Sequence, residues 1–107
     1  MSSGYLYIGC NGQVAAINPG DGREMWRTKL KSGLLSATTH KEVCLLEHEG
    51  RLYAGCFGHL FCLEAGSGRI LWHNELKGMG YTGVTLAMAD KAVQYVVGHD
   101  QPRSTSD

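Results

Sequence analysis

Apolar and polar residues along this chain fall into short runs, most of which close on a turn containing glycine. Tyr5 to Cys10 is an apolar run that ends at Asn11-Gly12. Asn-Gly accepts the positive φ angles of a type I′ turn, so Gln13 to Ile17 is expected to return as the second strand of a hairpin. Pro19-Gly20-Asp21-Gly22 concentrates turn residues, and Glu24 to Leu30 then alternates apolar with polar, the pattern of a half-buried strand. Lys31 to Lys41 reads as a connector with Gly33 and a Ser-Ala-Thr-Thr tract. Glu42 to His48 contains Val-Cys-Leu-Leu and reads as a strand buried on both faces. Glu49-Gly50, Phe57-Gly58 and Ala65 to Gly68 are turns; between and after them lie strands at Arg51 to Cys56, His59 to Glu64 and Arg69 to Glu75. Lys77 to Asp90 reads as a second connector, longer than the first, and Ala92 to Val97 as a last strand comparable to Val43 to Leu46. The tail from Gly98 to Asp107 carries Pro102 and polar residues and is expected to fray.

The runs repeat. Cys62-Leu63-Glu64-Ala65-Gly66-Ser67-Gly68-Arg69-Ile70-Leu71-Trp72 follows Ala16-Ile17-Asn18-Pro19-Gly20-Asp21-Gly22-Arg23-Glu24-Met25-Trp26 at an offset of 46 residues. At the same offset Leu6-Tyr7-Ile8-Gly9-Cys10 is matched by Leu52-Tyr53-Ala54-Gly55-Cys56, and Leu30-Lys31 by Leu76-Lys77. A period of this length, made of strands and glycine turns, is the sequence signature of a β-propeller blade. With strands lettered A to D from the inside outwards, the order reads B-C-D, then A-B-C-D, then A. The expected fold is all-β, with two four-stranded blades per chain. Blade 1 supplies strands B to D over about 5–30, and blade 2 strands A to D over about 42–76. The strand over about 92–97 is expected to serve as strand A for a neighbouring subunit. Two blades leave open sheet edges, so the propeller is expected to be completed by homo-oligomerisation. The expected assembly is a homotetramer of eight blades, with a homotrimer of six as the alternative.

Composition supports this picture and narrows the partners. The chain has 107 residues and 15 glycines, about twice the usual share of roughly 7%. With two prolines and no low-complexity run, the excess signals tight turns. Ten basic and ten acidic residues give a formal net charge of zero, which argues against nucleic acid or an anionic membrane as partner. No basic segment leads into an apolar run after Met1-Ser2-Ser3-Gly4, so no signal peptide is expected. The chain as given reads as cytoplasmic, or periplasmic if an export segment has been removed. No apolar stretch approaches the roughly 18 residues of a membrane span.

The repeated segment resembles the tryptophan-docking motif of the quinoprotein (PQQ) alcohol dehydrogenase-like propellers, Ala-x-Asp-x-x-Thr-Gly-x-x-x-Trp. The first copy keeps Ala16, Gly22 and Trp26, with Asn18 and Asp21 at the Asp and Thr positions. The second keeps Gly68 and Trp72, with Cys62, Glu64 and Ser67 elsewhere. The resemblance implies that the Trp of one blade lies on the glycine peptide of the next, beside the small residue Ala16 or Cys62. Blade-docking roles are therefore expected for Ala16, Gly22, Trp26, Cys62, Gly68 and Trp72. Those enzymes also need a quinone pocket, a metal, an aspartate base and an adjacent-cysteine disulfide. This chain has no Cys-Cys pair, and its acids fall mostly at repeat positions or turns.

Other candidate chemistry is weaker. Cys56, His59 and Cys62 could suggest zinc, but only one cysteine recurs in the other copy and no Cys-x-x-Cys pair exists. His40, His48, His73 and His99 share no spacing, and Arg23 and Arg69 recur beside the turn, where a solvated rim is the default. No catalytic, cofactor-binding or metal-ligating residues are assigned, and no cofactor is expected. The expected function is a non-enzymatic binding or interaction scaffold, its ligand at the loops or central channel. The alternative is a fragment of a larger propeller, either a quinoprotein dehydrogenase-like enzyme or an outer-membrane assembly scaffold.

Overall fold

The structure, a computed structural model, describes residues 4–31, 40–89 and 91–93. The described residues form three antiparallel sheets. The first holds β1 (Leu6–Cys10), β2 (Gln13–Ile17) and β3 (Glu24–Lys29) in that order. The second holds β4 (Cys44–His48), β5 (Arg51–Cys56), β6 (His59–Glu64) and β7 (Ile70–Asn74), and the third pairs β8 (Leu86–Met88) with β9 (Lys91–Val93). The all-β class follows directly.

Local chemistry explains the turns. Asn11 and Gly12 have φ of 56° and 69°, Glu49 and Gly50 of 52° and 81°, and Phe57 and Gly58 of 49° and 77°. Both central residues of each hairpin thus lie in the left-handed region, as a type I′ turn demands. Glu49 and Phe57 bear a Cβ penalty there that Asn11, at the same kind of position, largely escapes. The longer turns are copies of each other. Asn18 N–H donates to the Arg23 carbonyl at 2.8 Å and Gly22 N–H to the Asn18 carbonyl at 2.7 Å. Glu64 N–H donates to Arg69 and Gly68 N–H to Glu64, both at 2.8 Å. The ladder slips at Ala16/Ile17 in one sheet and at Cys62/Leu63 in the other, so even the bulge repeats.

The core sits between the first two sheets. Val14 and Leu30 meet Leu52, Ala54, Cys56, Phe61, Leu63 and Ala65, with Tyr7, Trp26, Val43, Leu45 and Ile70 packed around them. Alternation places Leu52, Ala54, Leu63 and Phe61 on one face of the second sheet, paired as Leu52↔Leu63 and Ala54↔Phe61. Leu46, Tyr53, Cys62 and Trp72 share the opposite face, through Leu46↔Tyr53, Tyr53↔Cys62 and Cys62↔Trp72.

Two glycines set the spacing between sheets. A Cβ on Gly9 would lie 2.7 Å from Val43 Cγ1, and one on Gly55 would lie 2.5 Å from Val84 Cγ1. Val84 therefore fills the place against the second sheet that Val43 fills against the first. The next strand in the chain is β8, which begins at Leu86 and lies before the expected strand over 92–97. Ala92 and Val93 belong to β9 and pair with Ala87 and Leu86 of their own chain; residues 94–97 lie outside the described residues. The connector before β8 (75–85) is shorter than the one before β4 (30–43), not longer. Leu86-Ala87-Met88 is too short and too weakly β-branched to be picked out by pattern, whereas Ala92 to Val97 is rich in valine. Packing of Val84 on Gly55 places the shorter run beside the second sheet.

Candidate functional site

The contact between the first two sheets is centred on Trp26. It lies across from Ala16, which is fully buried and leaves room for the indole. The ring rests on the turn between β6 and β7. Its N–H donates to the Ala65 carbonyl at 3.1 Å, and the Tyr7 hydroxyl donates to the same carbonyl at 3.3 Å. The Thr28 hydroxyl donates to the Gly68 carbonyl at 2.6 Å. Gly68 has a φ of 81°, and a Cβ there would overlap the indole. Burial, and secondarily Glu47 and Tyr5, raise the pKa of Tyr7, which keeps its hydroxyl a donor. Three donors on one sheet thus hold two carbonyls of one turn on the next.

The same three positions recur on the far face of the second sheet as Tyr53, Trp72 and Asn74. Tyr53 and Trp72 lie with ring centroids 6.2 Å apart, as Tyr7 and Trp26 do. Asn74 Oδ1 accepts the Leu76 N–H at 2.7 Å, which leaves its NH2 as the donor in the place of Thr28. No turn from the described residues covers this set. Trp72 is 40% exposed at the edge of a cleft of about 260 Å³ walled by Leu46, Tyr53, Leu60, Leu86 and Met88. At the other end of the molecule, Leu6 and Ile8 are 55% and 43% exposed on the first sheet. Gly22, with a φ of 78°, has no atom within 4 Å of where a Cβ would stand.

Residues 10–106 match the family described as outer membrane protein assembly factor BamB. The chain belongs to this PQQ-like propeller-repeat family. No curated protein matches it. Among the described residues the two larger sheets, of three and four strands, are the repeats of this family.

The structure brings together Ala16, Trp26 and Gly68 of the residues singled out from sequence. It pairs Cys62, fully buried, with the partly exposed Trp72 on the far face of the second sheet, and leaves Gly22 on the exposed turn of the first. The two side chains that donate to the turn alongside Trp26, Tyr7 and Thr28, were not singled out from sequence. Tyr7 and Tyr53 were visible as a repeated pair, but Thr28 and Asn74 differ in type and share only donor chemistry.

A histidine pair lies at the end of the second blade next to the Phe57-Gly58 turn. His59 is 4% exposed, with Nδ1 3.1 Å from His73 Nε2, and its own Nε2 is buried without a hydrogen-bond partner. His73 stacks on Phe61 with centroids 4.3 Å apart. Burial, and then the neighbouring His59, lower the His73 pKa, with Glu75 opposing them. Burial pushes the Cys56 thiol up to about 11, so it offers no thiolate at neutral pH. Among the described residues no three or more His, Cys, Asp or Glu converge in metal-binding geometry. Arg69 lies 3.7 Å from Glu64, and Arg23 stands on the exposed turn. No helix of the described residues is long and apolar enough to cross a membrane.

Proposed function

We propose that this chain is a non-enzymatic interaction scaffold whose working surfaces are the faces of its propeller blades. The observation that carries this reading is the grip of Tyr7, Trp26 and Thr28 on the Ala65–Gly68 turn. Its long-range hydrogen bonds serve to join one blade to the next. In this reading Ala16, Gly22, Trp26, Cys62, Gly68 and Trp72 are tryptophan-docking residues, and none has a catalytic role. The description of the family as an assembly factor supports a scaffold over a dehydrogenase. The blades are proposed to be completed as a ring from copies of this chain, eight blades from a homotetramer or six from a homotrimer. The fold itself is neutral between these activities, since function resides in sites rather than architecture.

The competing reading is a quinone-dependent enzyme. Titration with pyrroloquinoline quinone, followed by absorbance and by tryptophan fluorescence, separates the two. The scaffold predicts no saturable binding and no dye-linked alcohol oxidation. Saturable binding accompanied by turnover would overturn it.

A further inference from the structure

One end of the second sheet carries a buried polar contact that plays no part in joining the first two sheets. His59 opens β6 opposite Cys56 of β5, and His73 lies on β7 opposite Phe61. Their rings stack with centroids 5.2 Å apart, and His59 Nδ1 is 3.1 Å from His73 Nε2. An N–H···N contact needs a proton on one nitrogen and a bare lone pair on the other, so it exists only while at least one ring is neutral. The far nitrogen of His59, Nε2, is buried and has no hydrogen-bond partner among the described residues. The segment from Glu75 to Tyr81 lies over this end and, with His59, lines a cleft of about 240 Å³. The Tyr81 ring stands 6.1 Å from His59 and 5.6 Å from Phe57, and the Gly80 carbonyl meets Gly58, where a Cβ would overlap it. Hydrogen bonds within the segment are local: Leu76 N–H donates to Asn74 Oδ1 at 2.7 Å and Met79 N–H to the Leu76 carbonyl at 3.1 Å. Met79 and Tyr81 are largely exposed. Packing against His59, Phe57 and Gly58 therefore decides whether the segment stays down.

We propose that the His59–His73 pair is an acid-sensitive latch, which holds the Glu75–Tyr81 segment over the end of the sheet while neutral and releases it when protonated. A first proton on His59 Nε2 is a buried charge with nothing to accept its hydrogen bond. A second destroys the N–H···N contact and sets two cations 3.1 Å apart. Lifting the segment brings water to both rings and removes these penalties. The groups around the pair are consistent with release. Burial pushes the Cys56 thiol, across from His59, up to about 11, so it offers no thiolate to balance a cation. Lys77 on the cleft wall and Lys41, with Nζ 4.4 Å from the Phe57 centroid, add positive charge. Glu75 is the opposing group, a carboxylate that favours protonated His73. Burial, and then His59, outweigh it and hold the closed-state pKa of His73 below the ordinary 6.5. The closed form is therefore complete above pH 6.5, and below it the open-to-closed ratio rises by up to about tenfold per pH unit for each proton taken up, until the lowered value is reached. The Ala65–Gly68 turn that Trp26 grips lies at the opposite end of β6, so release leaves the first two sheets joined.

The test is fluorine NMR of fluorotyrosine-labelled protein from about pH 8 to about pH 5, the range in which imidazoles titrate. Tyr81→Phe assigns the Tyr81 resonance, and the imidazole resonances of His59 and His73 are followed in the same samples. The Tyr81 resonance is expected to move towards that of a solvated ring in one step, coincident with protonation of the pair, while the Trp26 indole N–H resonance stays fixed. Replacing both rings, by His59→Gln with His73→Phe, is expected to abolish the step. Glu75→Gln is expected to keep the step and move it to lower pH, because the carboxylate that favours protonated His73 is gone. A purely structural weakening of the segment would instead leave Tyr81 solvated at every pH. A Tyr81 resonance that holds still while the pair titrates would overturn the latch, as would a pair that stays neutral to about pH 5. A step that survives loss of both rings, or one accompanied by movement of the Trp26 resonance, would overturn it too. Should the double variant not fold, the coincidence of the two wild-type titrations decides alone.

Discussion

The two blades are built from the same segment, yet the same positions meet opposite fates. Leu6 is mostly exposed and Leu52 buried; Trp26 is held by a turn, and among the described residues none holds Trp72. Cys10 is exposed while its equivalent Cys56 is buried. Arg27 lies on the surface in a bidentate contact with Glu24, at 2.8 and 2.9 Å, whereas its equivalent His73 stacks on Phe61. The lesson is that burial belongs to the space between blades rather than to the blade. Among the described residues the second sheet has the first sheet against one face and Val84 against part of the other, whereas Leu6 and Ile8 of the first sheet stay exposed. A residue's contribution therefore depends on whether a neighbour stands against its face, which a local pattern of apolar residues does not reveal.

The largest test of this contrast compares the tryptophans. Trp26→Ala should cost about 3 kcal/mol in urea unfolding, the lower end of core Trp truncations because the ring is only half-buried. Trp72→Ala in dilute monomer should cost less than about 1 kcal/mol, as exposed substitutions do. Equal losses would dissolve the comparison. The glycines sharpen it next. Gly22→Ala and Gly68→Ala share the left-handed strain, roughly 1–2 kcal/mol each. Only Gly68→Ala also drives a methyl into an indole, so its unfolding midpoint should fall further than that of Gly22→Ala.

The cysteines offer a chemical version of the same contrast. A thiol reagent should modify Cys10 promptly and reach Cys56 only on unfolding. Because Cys56 has a folded pKa of about 11 against an ordinary 9.0, the unfolded chain loses its thiol proton first. Stability from this group is full below pH 9 and falls as pH rises towards 11, by roughly 2–3 kcal/mol. Cys56→Ser should flatten that alkaline loss in a series of denaturation curves. The smallest effect is expected from His73. Its folded pKa lies below the ordinary 6.5, so the unfolded chain takes up the proton first. Stability is complete above pH 6.5 and declines as pH falls from there towards the lowered value. His73→Phe should remove that acid slope while keeping the stack on Phe61.

Much of the fold was legible in the chain itself. The offset between Ala16–Trp26 and Cys62–Trp72, the left-handed Asn11-Gly12 turn and the Gly22 and Gly68 positions are local properties. A turn either tolerates positive φ or it does not, and a bulge follows its turn. Repetition then announced blades, because a segment that cannot bury its apolar face alone must stack on a copy of itself. Tertiary structure decided the rest. Val84 on Gly55 set β8 beside the second sheet, a short run that pattern alone did not pick out. The carbonyls of Ala65 and Gly68 turned Tyr7, Trp26 and Thr28 into one hydrogen-bonding set, and so gave meaning to Tyr53, Trp72 and Asn74. These facts depend on which surfaces face each other across a gap, and side chains that meet there are distant in sequence.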